Sequence, residues 1–360
     1  MRSLHMRPRG VVVIEGGLPQ SGCAAGGRLD ALEHVANRPI AHHVLDVLES
    51  AGIEEIVVAT SAELAGEVRA CLAARDQDPR VRLNYVEGRG PIDLAAAVTL
   101  AAPLIGDAPC IVHLASGLLG EPLAPFADPL AGDAPDVVLI VHQRPAPNEH
   151  LSAATQAMLH LAELDPQRDA LGTAGVWLFG PGALRQVSGA SWRTDGEVDL
   201  TTVADRITAA GGSVRVRLID AWRRYAGDPL DLLELNRITL DRLGNDMQRP
   251  SNNGNRIEGR VWIHERASVR ASVIVGPAVI GPDASVLDAY IGPYTSVGAG
   301  ARIEGAEIER SIISPGASIM HIGGRLATSV VGRDARVFRD FSRPRALRLQ
   351  VGDAAEVALG

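Results

Sequence analysis

The side chains suited to proton transfer in this sequence are Asp93, His113, Ser116 and Tyr225, with Glu87 as a further carboxylate. A carboxylate, an imidazole and a phenol brought to one pocket could exchange protons with a weakly charged ligand. Handling of a highly charged ligand is restricted from the start. The chain contains no lysine, so its 35 Lys and Arg positions are all Arg. Schiff-base chemistry, the lysine of a Walker-type phosphate loop and any lysine base are thereby excluded. Gly16-Gly17 follow an apolar run and can turn the backbone around a ligand, but after Gly10 no cationic residue appears before Arg28. His42-His43 invites a metal reading; neighbours on a helix do not share a face, so both are expected on the helix surface. Cys23, Cys71 and Cys110 are odd in number and far apart. They form neither a metal-ligand spacing nor a disulfide framework, which suits a reducing cytoplasm.

These residues must be held by a globular scaffold. Hydrophobic residues make up 46% and charged residues 22%, while aromatics are only 3%, so the core is built from Ala, Val, Leu and Ile. A net charge of −8 argues against a nucleic-acid partner, which needs a basic face. The small cluster Arg339, Arg343, Arg345 and Arg348 reads as solvated surface. The apolar run Val11–Ile14 ends at Glu15 and is too short for a signal peptide or a membrane span, so no membrane partner and a cytoplasmic location are expected.

Two grammars divide the chain. Residues 1–242 alternate apolar runs with amphipathic stretches. Strands are expected at Gly10–Ile14, Ile56–Thr60, Val81–Val86, Cys110–Leu114, Val137–His142, Gly175–Phe179 and Val214–Leu218. Helices are expected at Ile40–Ser50, Glu63–Ala74 and Asp93–Ala102. Continuously apolar strands separated by helices imply a parallel sheet covered on both faces. Residues 243–255 (LGNDMQRPSNNGN) read as a linker. From 256 to 360 aliphatic residues recur every six: Ile257, Ile263, Val269 and Val275; then Ile274, Ile280 and Val286; then Ile291, Val297 and Ile303; then Ile313 and Ile319. That period suits a hexapeptide β-helix, in which each coil buries its inner residues by stacking on the next. One-residue slips near 275 and 309 read as loops in an imperfect solenoid.

GVVVIEGG, VANRPIAHHVLDVLESAGIEEIVV, GVWLF and GDPLDLLELNRITLD, followed by a β-helix ending in RPRALRLQVGD, resemble the sugar-1-phosphate nucleotidyltransferases. The nearest type is the long-form actinobacterial glucose-1-phosphate thymidylyltransferase. The resemblance implies an α/β fold. A Rossmann-like nucleotidyltransferase domain with a mainly parallel mixed sheet would precede a left-handed parallel β-helix. It further implies transfer of a nucleotide onto a sugar phosphate with magnesium, and assembly as a homo-oligomer. Two polyanions meet in such a reaction, so cationic clamps and metal-holding carboxylates are required.

Matched to the motifs of that family, the ancestral ligand loop is Gly16-Gly17 and Arg28, but Leu18-Pro19-Gln20-Ser21 replaces its arginine-bearing stretch and Asp30 stands where a lysine belongs. Ser116 takes the place of one metal-binding Asp and Tyr225 that of the other. Leu164 stands nearest the lysine that grips the sugar phosphate. Losing one preorganised charge-stabilising group costs about 10²–10³ in rate. The expectation is therefore an enzyme fold inactive as a nucleotidyltransferase, with no metal and no cofactor. It would serve as a pseudoenzyme, a binding or scaffold subunit of a specialised-metabolite pathway, with a sugar nucleotide or biosynthetic intermediate as its small-molecule ligand. The alternative is a repurposed pocket in which Asp93, His113, Ser116, Tyr225 and Glu87 perform metal-independent acid–base chemistry on a biosynthetic intermediate. Residual NDP-sugar synthesis and acyl transfer by His264 or His321 of the β-helix are the lesser readings.

Overall fold

The computed structural model describes residues 6–15, 30–90, 92, 94–127, 135–143, 171–184, 193–194, 197–198, 207–244 and 254–339. Its contacts form two units. One holds the N-terminal strand, Leu29–Leu32 and Pro39–Tyr225; the other holds Glu33–Arg38 and Ala226–Gly360.

The first unit is built on a seven-stranded sheet ordered Val214–Ile219, Val137–Gln143, Leu171–Phe179, Cys110–Leu114, Arg9–Val13, Glu55–Ser61 and Arg82–Gly88. Every pairing is parallel except those of Leu171–Phe179, which runs against both neighbours. Val11, Val12 and Val13 are all buried, as expected for a central strand covered on both faces. The Ile40–Ser50 helix buries Ile40, Ala41, Val44, Leu45, Val47 and Leu48, a single stripe at helical spacing. Ala65–Asp76 and Leu94–Ile105 are the other long helices among the described residues of this unit. His42 is not a bare surface residue: it is half-buried, with Nε2 2.9 Å from the carbonyl oxygen of Cys71 on the neighbouring helix. No helix among the described residues is long and apolar enough to cross a membrane.

The second unit is a stack of three five-stranded parallel sheets, the three faces of a parallel β-helix, in line with the left-handed coil that the resemblance implies. Register gives the coil length. Arg256 pairs with Val273, Val273 with Tyr290 and Tyr290 with Glu307, so each of these first turns takes 17 residues rather than three full hexapeptides; Val297 to Ile313 then takes 16, and Ile308 to Leu326 takes 18. In these turns the missing residue is lost at the same corner, whereas the five-residue step from Ile308 to Ile313 falls at the next one. Inner positions advance by six from Ile257 to Ile263 and Val269, then by five to Ile274. At that corner Ala271, Asp288 and, one coil further, Gly305 adopt φ of 47°, 46° and 56°, left-handed turns that shorten the path. The slip near 275 is therefore a regular corner and not a loop. Ile274 points inward with no exposure, and Val275 is only half-buried.

The Pro229–Asp241 helix belongs to this unit. Asp228 caps it by accepting from the Leu230 amide at 2.9 Å, and Pro229 sits in the first turn where no amide is needed. Its Asn236 is fully buried. The Asn236 side chain accepts from the Ala36 amide at 2.8 Å and from the Ser296 hydroxyl at 2.5 Å, and donates to the Tyr294 carbonyl at 3.0 Å. Ala36 and Asn37 both have positive φ, the two-residue turn that joins His34–Val35 to Arg38–Pro39.

Candidate functional site

In a parallel sheet the carboxyl ends of the strands share one edge, where ligands of open α/β folds bind. Arg9–Val13 runs through Ile14 to Glu15, and Cys110–Leu114 runs through Ala115 to Ser116. The Ala115 amide donates to the Val13 carbonyl at 2.9 Å and holds the two exits side by side. A short ribbon closes over them: Trp222–Arg224 pairs antiparallel with Gly117–Leu119, which places Arg224 opposite Gly117.

Alternation along this ribbon puts Trp222 and Arg224 on one side. The Trp222 indole is seated against two glycines. A Cβ on Gly117 would lie 2.5 Å from Trp222 Cη2, and one on Gly175 would lie 2.6 Å from Cζ2. Only a residue without a side chain lets the indole approach this closely. Arg224 then extends over the edge. Its Nη2 donates to Glu15 Oε2 at 2.6 Å and its Nε donates to Ser116 Oγ at 3.2 Å. Asp30 lies within the field of the same guanidinium. Partial burial pushes the Asp30 carboxyl above its ordinary range, and the Arg224 charge pulls it part of the way back.

The residues singled out from the sequence fare differently. Ser116 and Tyr225 come together, the Tyr225 amide donating to the Ser116 carbonyl at 2.9 Å. His113 lies beneath them, fully buried, with its ring edge-on to Trp222 at 5.8 Å between centroids. His113 Nδ1 is 2.7 Å from the Leu114 carbonyl, which can only accept, so Nδ1 carries the proton. Glu87 is exposed and bonded at 2.9 Å to Arg69, whose guanidinium covers the Tyr85 ring. Gly16, Gly17, Arg28, Asp93 and Leu164 lie outside the described residues, as do Arg343, Arg345 and Arg348. Arg224 was not picked out from the sequence. Its signal was there: a strand-forming Trp222-Arg223-Arg224 places the third residue on the same side as the indole.

Comparisons with known proteins fit this architecture. The chain is 29% identical to a glucose-1-phosphate thymidylyltransferase of Streptomyces griseus over 326 residues, covering 89% of this chain and 90% of the relative. It is 29% identical to the enzyme of the same name from Streptomyces antibioticus, covering 93% and 97%. The low-salt glycan biosynthesis nucleotidyltransferase Agl11 of Haloferax volcanii matches at 26% over the same shares. The chain is a homologue of the sugar-1-phosphate nucleotidyltransferases. A solved structure from Bacillus anthracis, described as a glucose-1-phosphate thymidylyltransferase in complex with a sucrose, superposes with a TM-score of 0.53. It has 17% identity and covers 68% of this chain and 98% of its own, a likeness of fold. No protein-family model matches.

The nucleotidyltransferase resemblance implies a magnesium ion, and the described residues at the sheet edge do not fit one. The resemblance assigns the position of Ser116 to a metal-binding carboxylate; the hydroxyl present there accepts from a guanidinium. The nearby carboxylate of Glu15 is ion-paired to that same guanidinium. Hard divalent cations need oxygens with open lone pairs directed at them, and here a fixed cation faces those oxygens instead. Among the described residues, no three His, Cys, Asp or Glu side chains come together as they would around a metal ion.

Proposed function

We propose that this chain is a pseudoenzyme of the nucleotidyltransferase fold, a binding or scaffold subunit in a specialised-metabolite pathway, with a sugar nucleotide or biosynthetic intermediate as its ligand. The observation that carries the reading is the Arg224 bridge between Glu15 and Ser116. Nucleotidyl transfer needs cations that clamp the phosphates and carboxylates that hold a metal between reacting oxygens. Here the carboxylate is spent on an internal ion pair, and the complete absence of lysine removes the remaining family clamps. Against the acid–base alternative, the His113 imidazole is fully buried, enclosed by its strand neighbours and Trp222. A homo-oligomer is part of the proposal, since related enzymes imply one.

The test is direct. Purified protein is incubated with glucose 1-phosphate, dTTP or UTP, and magnesium, and pyrophosphate is measured. Release at the background rate is expected. Formation of a nucleoside-diphosphate sugar that is lost in Arg28→Ala would overturn the reading and make the chain a rewired transferase.

A further inference from the structure

We infer that the Arg224 guanidinium is a tethered cation standing in for a dissociable divalent ion, so that any ligand of this cleft binds without metal. The inference deepens the proposed function and rests on it in one respect, that this sheet edge is the ligand site. The oxygens around Arg224 are those that a hard cation would collect: the Glu15 carboxylate at 2.6 Å, the Ser116 hydroxyl at 3.2 Å, and the Asp30 carboxyl near enough to feel the charge. Magnesium and manganese are commonly held by one or two carboxylates with water completing the shell. Such a cation would compete for the place that Arg224 fills by covalent attachment.

The geometry also says why Arg224 stays. Its strand is pinned by pairing to Gly117–Leu119, and Trp222, two residues before it, is locked over Gly117 and Gly175. The donors used are Nε and Nη2; among the described residues no hydrogen bond engages Nη1. The Arg224 side chain is 43% exposed. A ligand acceptor can therefore meet a permanent positive charge here, where a family enzyme would present a metal complex. A ligand that depends on a bridging metal ion, such as a magnesium triphosphate, loses its anchor. A ligand with one acceptor group directed at Nη1 keeps it.

The experiment uses the full chain and manganese alone as the probe, followed by calorimetric titration and by the shift in Tm. Wild type is expected to give no saturable binding up to millimolar manganese. Arg224→Gln, which keeps polarity and removes the charge, should gain affinity of about tenfold or more, because a like charge a few ångströms from the ion is gone. Arg224→Lys should stay metal-free, and Glu15→Gln added to Arg224→Gln should abolish the gain. Circular dichroism checks that each variant is folded, and Arg224→Ala serves as the second charge-removing variant. Wild type that binds manganese in the micromolar range overturns the inference. So does a folded Arg224→Gln or Arg224→Ala with no gain, or a gain that survives Glu15→Gln. Pyrophosphate release by wild type would sink the pseudoenzyme proposal, whereas unchanged manganese affinity in the Arg224 variants would sink only the tethered cation.

Discussion

The β-helix and the edge of the α/β sheet solve opposite problems with the same alphabet. In the coil, one position is repeated many times: Ile274, Ile291 and Ile308 stack in register, each without exposure. At the sheet edge nothing repeats. Glu15, Ser116 and Arg224 come from three separate stretches of chain and meet once, with Asp30 within the field of the Arg224 charge. A repeated contact can be lost at one coil and survive at the next, so its energy is distributed and its sequence signal is periodic. A single constellation has no such redundancy, and its residues answer to charge rather than to period. The nucleotidyltransferase homology spans both regions, and the proposed departure from it rests on the edge.

The largest expected effect tests the repetitive side. Ile291→Ala removes buried methyl groups from the middle of the stack and should destabilise the second unit by about 2–5 kcal/mol. The outward Val273, 36% exposed on the same face, should tolerate Ala within about 0.5 kcal/mol. Denaturant melts of the two variants measure the contrast. Equal losses would mean that the inner row does not carry the coil, and the comparison would fail on its firmest side.

The next effect moves to the seat of the arginine ribbon. Gly175→Ala drives a methyl group into Trp222 at 2.6 Å and into Leu114 Cδ1 at 2.8 Å. Overpacking of this kind costs about 1–3 kcal/mol. It should also displace Arg224, because the ribbon carries both residues, and so raise the manganese affinity of the cleft. Loss of stability with no change in metal binding would separate the seat from the site. Arg224→Gln itself should change stability by about 1 kcal/mol or less, since the pair with Glu15 is partly solvated.

The legibility of the two regions in the sequence differs for the same reason. The six-residue recurrence pointed to the coil, and the apolar runs located the sheet strands; the Ile40–Ser50 and Cys110–Leu114 elements agree with expectation residue for residue. The five-residue corner was harder to read, because Ile274 and Val275 are both aliphatic and only the left-handed Ala271 decides which turns inward. The site was harder again. Matching to the family draws attention to Tyr225, the position the resemblance assigns to a metal ligand, and so away from its neighbour Arg224, which bonds Glu15 and Ser116. Arg223 and Arg224 are chemically identical in the sequence, and only the pairing of the ribbon distinguishes the one that reaches Glu15.

Asp30 gives the smallest and most discriminating effect. Burial raises its folded-state pKa, and the Arg224 charge opposes that shift without cancelling it. A carboxyl whose pKa is raised on folding contributes stability that is complete below its unfolded value and is lost as pH rises through the folded value. At neutral pH the ionised Asp30 is therefore a burden, and Asp30→Asn should raise Tm. The gain should shrink as pH falls through the carboxylate range and vanish below it. In an Arg224→Gln background the compensating charge is absent, so Asp30→Asn should stabilise by more than it does in wild type. Melting curves of the four proteins at neutral and acidic pH close the cycle. A Tm that falls in Asp30→Asn at neutral pH would mean that attraction to Arg224 outweighs burial. The edge would then be a net-stabilising ion cluster, built like the coil for stability, and the contrast between the two regions would narrow to their periodicity alone.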